Sequence, residues 1–236
     1  MLIFIDLETT GLESLDRICS IGIIAIDGEQ IISKYDLVNE GKKISPKASS
    51  INHITNEMIK AKPKLQDCEA FKFLQENNNY DSTIIAHNVK FDLKMLLTCG
   101  FEWQGEIIDT LRVTKHLIPE CEQFSLQFLR YDLKLYKNEK EEALKCGIED
   151  DLIAHNALSD SLHVKLLYEC LLEIKPHARL IELSSKNVLM QKFEFGKYSG
   201  RYIEEISMYD RAYLEWMLAN IMDLDEDLRY SIEYNL

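Results

Sequence analysis

Asp6 and Glu8 stand two residues apart in an otherwise apolar run, Leu2-Ile3-Phe4-Ile5-Asp6-Leu7-Glu8. On a strand, residues i and i+2 point to the same side, so both carboxylates project together while Leu7 turns into the core. Adjacent carboxylates repel one another and lose hydration unless a cation neutralises them. A donor set made only of oxygen suits Mg²⁺ or Mn²⁺ rather than zinc. Alone, the pair reads equally well as two solvated acids at a strand end. Thr9, Thr10 and Gly11 follow at once. Glycine permits a tight turn beside the acids, and two hydroxyls with a backbone amide could contact a terminal nucleotide; an ordinary turn has the same composition.

Two further segments carry the same kinds of residue. His87-Asn88-Val89-Lys90-Phe91-Asp92 ends an apolar strand and opens a helix, so Asp92 falls in the first turns, where the helix dipole favours an acid. His155-Asn156-Ala157-Leu158-Ser159-Asp160 precedes a long leucine-rich stretch. Five helical residues turn through about 500°, leaving the first and last about 140° apart. His155 and Asp160 therefore share a site only if His155 lies on the loop before the helix. Asn156 is a good N-cap, which puts His155 outside.

These residues need a sheet to hold them. Strands are expected at 2–7, 18–27 and 30–38, with Asp27-Gly28 as a hairpin turn, then at 82–87 and 107–108. Helices are expected at 55–60, 65–76, 90–99, 109–117, at Leu126-Gln127-Phe128-Leu129-Arg130-Tyr131-Asp132 behind a Ser125 cap, and at 156–173. Three consecutive strands followed by alternating helix and strand point to an α/β sheet with helices packed on it.

In order and context, the three motifs resemble those of the DEDDh 3′→5′ exonucleases, a family named for four acids and a histidine. Lesser features match too: Ile51-Asn52-His53-Ile54-Thr55, Asp109-Thr110 after a strand, and Ser125-Leu126 at a helix start. Ile54 replaces the glycine that many members carry after the histidine; no catalytic position departs. The resemblance covers residues 1 to about 173. It implies an RNase H-like mixed five-stranded sheet flanked by helices, and two Mg²⁺ (or Mn²⁺) ions held by Asp6, Glu8, Asp92 and Asp160. In that scheme Asp6 bridges the ions, Glu8 and Asp160 complete the first shell, and Asp92 supports the second ion. Such ions, about 3.5–4 Å apart, clamp the attacking and leaving oxygens of an in-line displacement. His155 takes a proton from the attacking water, and a 5′-mononucleotide leaves the 3′ end. Thr9, Thr10, Gly11, His53, Asn88 and Phe91 would contact the substrate.

The tail reads separately. Residues 1–177 are expected as the exonuclease domain, 178–192 as a linker and 193–236 as a small α+β module. Phe195-Gly196-Lys197-Tyr198-Ser199-Gly200-Arg201 and Tyr213-Leu214-Glu215-Trp216-Met217 resemble the C-terminal module of bacterial exodeoxyribonuclease X-like proteins. Between 184 and 201, four basic residues (Lys186, Lys192, Lys197 and Arg201) face one acid, Glu194. With Phe195, Tyr198 and Tyr202 they could grip single-stranded nucleic acid; a small core with solvated charges reads equally well. Gln123-Phe124-Ser125-Leu126-Gln127-Phe128 resembles a sliding-clamp-binding peptide, but Leu126 and Leu129 are expected in the core.

Composition bounds the rest. Net charge is −13, from 40 acids against 27 Lys and Arg. Such a chain does not coat duplex DNA, because that binding rests on phosphate neutralisation. Six scattered cysteines form no Cys-x-x-Cys pair, and no apolar run approaches the roughly 20 residues of a membrane span. An acid at position six leaves no room for an apolar secretory core, so a cytoplasmic location and no membrane partner are expected. The expected partner is nucleic acid with a free 3′ end, above all single-stranded DNA, in repair or proofreading. Trimming of tRNA or oligoribonucleotides, a polymerase-associated proofreading subunit and a catalytically dead binding module remain as alternatives.

Overall fold

Isoleucine-rich segments supply the strands of a computed structural model that describes residues 1–149 and 152–236. Strands β1 (Leu2–Thr9), β2 (Ile18–Asp27), β3 (Gln30–Leu37), β4 (Thr83–Ala86) and β5 (Glu106–Asp109) form one sheet in the order β3-β2-β1-β4-β5. The β1-β2-β3 meander is antiparallel, while β4 and β5 run parallel to β1. The carboxyl ends of β1, β4 and β5 therefore share one edge, the usual place for a ligand in such sheets.

Helices α1 (Pro46–Asn52), α2 (Asn56–Ile59), α3 (Glu69–Glu76), α4 (Val89–Thr98), α5 (Thr110–Leu117), α6 (Leu126–Asp132), α7 (Glu139–Lys145), α8 (Ala157–Ile174) and α9 (His177–Ser185) follow the chain. Most match the expected spans within a residue or two. The expected helix at 65–76 is a 3₁₀ turn, Leu65–Asp67, followed by α3. Helices α1, α7 and α9 are additional. Ile3, Ile5, Leu7, Ile21, Ile23, Phe71, Leu74 and Leu96 make the main core. Tyr168 of α8 meets Phe4 of β1 edge-on at 5.4 Å.

The chain divides into two compact units: Met1–Val113 with Gln123–Ser184, and Ser185–Leu236 with Thr114–Glu122. Residues 178–185, read from sequence as linker, are helical in α9, which buries Leu180 and Leu183. The second unit holds α10 (Ile203–Tyr209), α11 (Arg211–Asn220) and α12 (Glu226–Asn235) around Phe193, Ile206, Leu214, Met217, Leu228 and Ile232. In the expected α+β module the strand pairing reduces to a single bridge, Lys192 to Tyr202, so it is chiefly helical among the described residues. Its short sequence spends its hydrophobes at helical spacing, leaving too few alternating residues for a sheet. No helix among the described residues is long and apolar enough to cross a membrane.

Candidate active site

β1 delivers Asp6 and Glu8 to the carboxyl edge of the sheet, each partly exposed between buried neighbours. β2 lies alongside, with Gly22 opposite Asp6. A Cβ on Gly22 would stand 2.2 Å from the Ala157 carbonyl carbon and 2.3 Å from its oxygen. Glycine is required here for close approach: it lets the first turn of α8 lie directly on the strand. The Ser161 hydroxyl donates to the Gly22 carbonyl at 2.9 Å and fastens the contact. Asp160, one residue earlier on α8, is thereby brought to the two acids of β1.

The start of α8 is built as its sequence requires. Asn156 is the N-cap, and its side chain accepts from the Ser159 N–H at 3.1 Å. His155 precedes the cap in the left-handed region, at φ 59°, with an exposed ring. Its backbone N–H donates to Asp160 Oδ2 at 2.9 Å. Glu8, His155 and Asp160 each bring a donor atom within 4.8 Å of the other two.

Asp92 is carried by the first turn of α4 and is buried. The turn before it is held by Asp109, at the end of β5: its Oδ1 accepts from the N–H groups of Asn88 and Leu111, both at 3.0 Å. Asn88 is left-handed, at φ 69°, and exposed. Phe91 is half-buried and packs on the main core.

The electrostatics follow from this crowding. Burial, then Asp160, Asp92 and Glu8, push the Asp6 carboxyl well above its usual range. Burial, Asp160 and Asp92 raise Glu8 to about 8, against a hydrogen bond with Asn52. Asp92 is raised chiefly by burial and also by Asp109, opposed by backbone hydrogen bonds including one from Leu7. Buried acids that raise one another hold either protons or cations at neutral pH. This all-oxygen cluster fits hard divalent ions.

Several expected substrate contacts have other duties. The Thr9 hydroxyl donates to the Gly11 carbonyl at 2.7 Å, and that of Thr10 to Asp16 Oδ1 at 2.7 Å. Thr10 is only 2% exposed, so its hydroxyl shapes the loop. A Cβ on Gly11 would meet Asp16 Oδ2 at 2.4 Å, which explains the glycine by crowding. His53 is exposed and left-handed at the end of α1; its buried neighbour Asn52 is the residue that reaches Glu8 and also donates to the Thr9 carbonyl at 3.2 Å. Lys197 and Arg201 belong to the second unit, paired with Asp210 at 3.0 Å and with Glu205 respectively. The clamp-like segment is used internally: Leu126 and Leu129 are buried, and the Phe124 carbonyl meets His87 Nε2 at 2.7 Å.

Sequence reasoning missed Asn52, Asp109 and Gln127. The first two stood in recognised motifs without a role; Gln127 carried no signal, being one polar residue on an amphipathic helix.

A family model described as exonuclease matches residues 3–168, spanning every residue of this cluster. The chain belongs to the exonuclease family. A second model, the exodeoxyribonuclease X-like C-terminal module, matches residues 193–222 of this exonuclease. Exodeoxyribonuclease 10 of Escherichia coli K12 is 28% identical over 240 residues, covering 100% of this chain and 99% of the relative. DNA polymerase III subunit epsilon of Treponema pallidum is 29% identical over 170 residues, 64% of this chain and 76% of that one. Exonuclease X in complex with 5′ overhanging duplex DNA superposes with a TM-score of 0.61 at 24% identity, over 78% of this exonuclease and 100% of that chain. E. coli exonuclease I with a dA16 oligonucleotide gives 0.53 at 22% identity, over 77% and 42%. The fold expected from the sheet and its helices is the one these structures share.

Proposed function

We propose that this exonuclease degrades DNA from the 3′ end to 5′-mononucleotides, with single-stranded ends as its substrate, in repair or proofreading. One observation carries the reading: Asp6, Glu8, Asp92 and Asp160 form a crowded, largely sheltered acidic cluster at the carboxyl edge of the sheet, with His155 beside two of them. Relatives named exodeoxyribonuclease, aligned over the full chain, support DNA as the substrate.

Asp6, Glu8, Asp92 and Asp160 would hold two divalent ions, Mg²⁺ by the hardness of the donors and Mn²⁺ as a substitute. When bound, such ions supply positive charge to the attacking and leaving oxygens of phosphodiester hydrolysis. The exposed ring of His155 takes the proton of the attacking water, a role suited to neutral imidazole, which has one ring nitrogen free to accept a proton. Asn52 holds Glu8, and the His155 backbone N–H holds Asp160. Among the predicted contacts, exposed His53 and Asn88 have side chains open to a nucleotide. We place catalysis in the first unit and the protein in the cytoplasm, in keeping with scattered cysteines and the absence of a membrane-spanning helix among the described residues.

The test compares 3′-labelled single-stranded DNA, duplex DNA and RNA in Mg²⁺ and in Mn²⁺, with Asp6→Ala as control. Release of labelled mononucleotide from single-stranded DNA first is expected. Faster release from RNA would move the substrate to the 2′-hydroxyl-bearing chain. Unchanged turnover in His155→Ala would remove the base assignment.

A further inference from the structure

Asp160 is gripped from behind by a polar chain that the hydrolytic scheme does not use. Its Oδ1 accepts from Gln127 Nε2 at 2.7 Å and lies 3.2 Å from His163 Nδ1. Gln127 Oε1 in turn accepts from Arg130 Nη1 at 3.2 Å. Arg130 is buried and donates through Nε and Nη2 to both oxygens of Glu139, at 2.7 and 2.8 Å. His163 is fully buried; its Nε2 forms no hydrogen bond and lies 3.5 Å from Glu139 Oε2. The chain thus links α6, α7 and α8 to one carboxylate.

We propose that Gln127 is a positioning residue that fixes the Asp160 carboxylate for cation binding, with Arg130 and Glu139 setting the orientation of its amide. This rests on the reading of Asp160 as a cation ligand. A carboxylate is loosely held about its last torsion. An amide is ambiguous as well, since its oxygen and nitrogen ends have the same shape. Arg130 has only donors, so it takes the oxygen end of Gln127 and turns the nitrogen end to Asp160. Glu139 grips one edge of the guanidinium, through Nε and Nη2, and so aims Nη1 at Gln127. Counting acceptor sites then distinguishes the two oxygens of Asp160. Oδ1 faces Gln127 and His163, while Oδ2 accepts one backbone N–H, from His155. Oδ2 keeps a free lone pair and is the oxygen presented to a cation. Ligand-orienting partners of this kind change metal affinity by about 10- to 100-fold when removed.

Gln127→Met keeps the length of the side chain and removes the donor. Gln127→Asn keeps an amide but shortens its reach, and carries the test if the first variant does not fold. The measurements are the Mn²⁺ dissociation constant by calorimetry, the melting temperature without metal, and kcat and KM on a single-stranded oligonucleotide. We expect Mn²⁺ to bind about 10-fold more weakly or worse. The drop should appear in kcat, recover in part at high Mn²⁺, and leave KM for the oligonucleotide unchanged. A purely structural role would lower the metal-free melting temperature and leave the Mn²⁺ affinity of the folded protein at the wild-type value, which would overturn the proposal. A wild-type protein that binds Mn²⁺ but leaves DNA intact would remove the functional reading alone, and the calorimetry would still decide the role of Gln127. A wild-type protein that binds no Mn²⁺ would overturn both.

Discussion

Charge is handled in opposite ways in the two units. In the first, Asp6, Glu8, Asp92 and Asp160 crowd together at a sheet edge, and the first three are pushed upward by burial and by one another or by Asp109. In the second, Lys197 faces Asp210, Arg201 faces Glu205 and Arg211 faces Glu215, all exposed or nearly so. The second arrangement is what water and salt permit anywhere on a surface. The first opposes folding, so it persists only where another partner compensates for it. Where a protein leaves like charges together and sheltered is thus more informative than where it gathers opposite ones.

The largest effect should come from breaking the cluster itself. Asp6→Asn removes the acid that the other three crowd. Turnover on single-stranded DNA in Mg²⁺ should fall on the order of a thousandfold, the scale on which enzymes lose a preorganised charge-stabilising group. The same substitution should raise the melting temperature of the metal-free protein, because a repulsion is gone. Retained turnover would mean that the cluster is not the active site. A lower melting temperature would mean that Asp6 is a structural acid.

Gly22→Ala attacks the geometry without touching a charge. The new methyl would overlap the backbone of Ala157, so α8 must move off β2 and carry Asp160 with it. Overpacking of this kind costs about 1–3 kcal/mol. Chemical denaturation should register that loss, and metal affinity should fall with it. A variant that is destabilised yet binds Mn²⁺ normally would show that Asp160 tolerates displacement.

Gly22 also marks the limit of what the sequence discloses. The strands, most helices and the three motifs are legible because hydrophobic period and capping residues are local signals. Asn156 capping α8 and Asp92 in the first turn of α4 follow from such signals. Gly22 reads as a flaw in an isoleucine strand, since the helix that needs the space lies more than a hundred residues away. The roles of Asn52, Asp109 and Gln127 are hidden for the same reason: their partners, Glu8, the Asn88 turn and Asp160, meet them only in the folded chain. Residues 178–185 of the expected linker are helical in α9 for a related reason. Leu180 and Leu183 of α9 are buried within the first unit, and the hydroxyl of Ser184 accepts from the Asp109 N–H at 2.9 Å. A polar-looking stretch is thus recruited to hold the site.

A pH titration sharpens the comparison in solution. With the folded pKa raised, Glu8 binds a proton more tightly in the native protein than in the unfolded chain, from its ordinary value of 4.5 up to about 8. Asp6 and Asp92 shift in the same direction. Native protein binding the extra protons is stabilised at low pH and loses that stability as pH rises through this window. The metal-free melting temperature should therefore decline from about pH 5 to pH 8, and Mg²⁺ should offset the decline at the upper end. The paired acids of the second unit give the opposite slope only below about pH 4.5, outside this window, since Glu205 and Asp210 are lowered from 4.5 and 3.8 by hydrogen bonds, chiefly from Arg201 and from Tyr198. A rise across pH 5–8 without metal would show that the cluster is neutralised from within the protein.

The smallest effect belongs to the basic residues of the second unit. Read from sequence, Lys197 and Arg201 looked like a grip on the nucleic-acid backbone. In the fold each is already answered: Lys197 sits over the rings of Tyr198 and Tyr213, at 4.6 and 5.1 Å, while facing Asp210, and Arg201 pairs with Glu205 of α10. A phosphate would have to displace a carboxylate from each, which removes much of the gain that a free cation offers. Replacing both with Glu should raise KM for single-stranded DNA only modestly at low salt and leave kcat and Mn²⁺ affinity unchanged. A large, salt-sensitive rise in KM would show that these pairs open on DNA and that the second unit takes part in holding the strand.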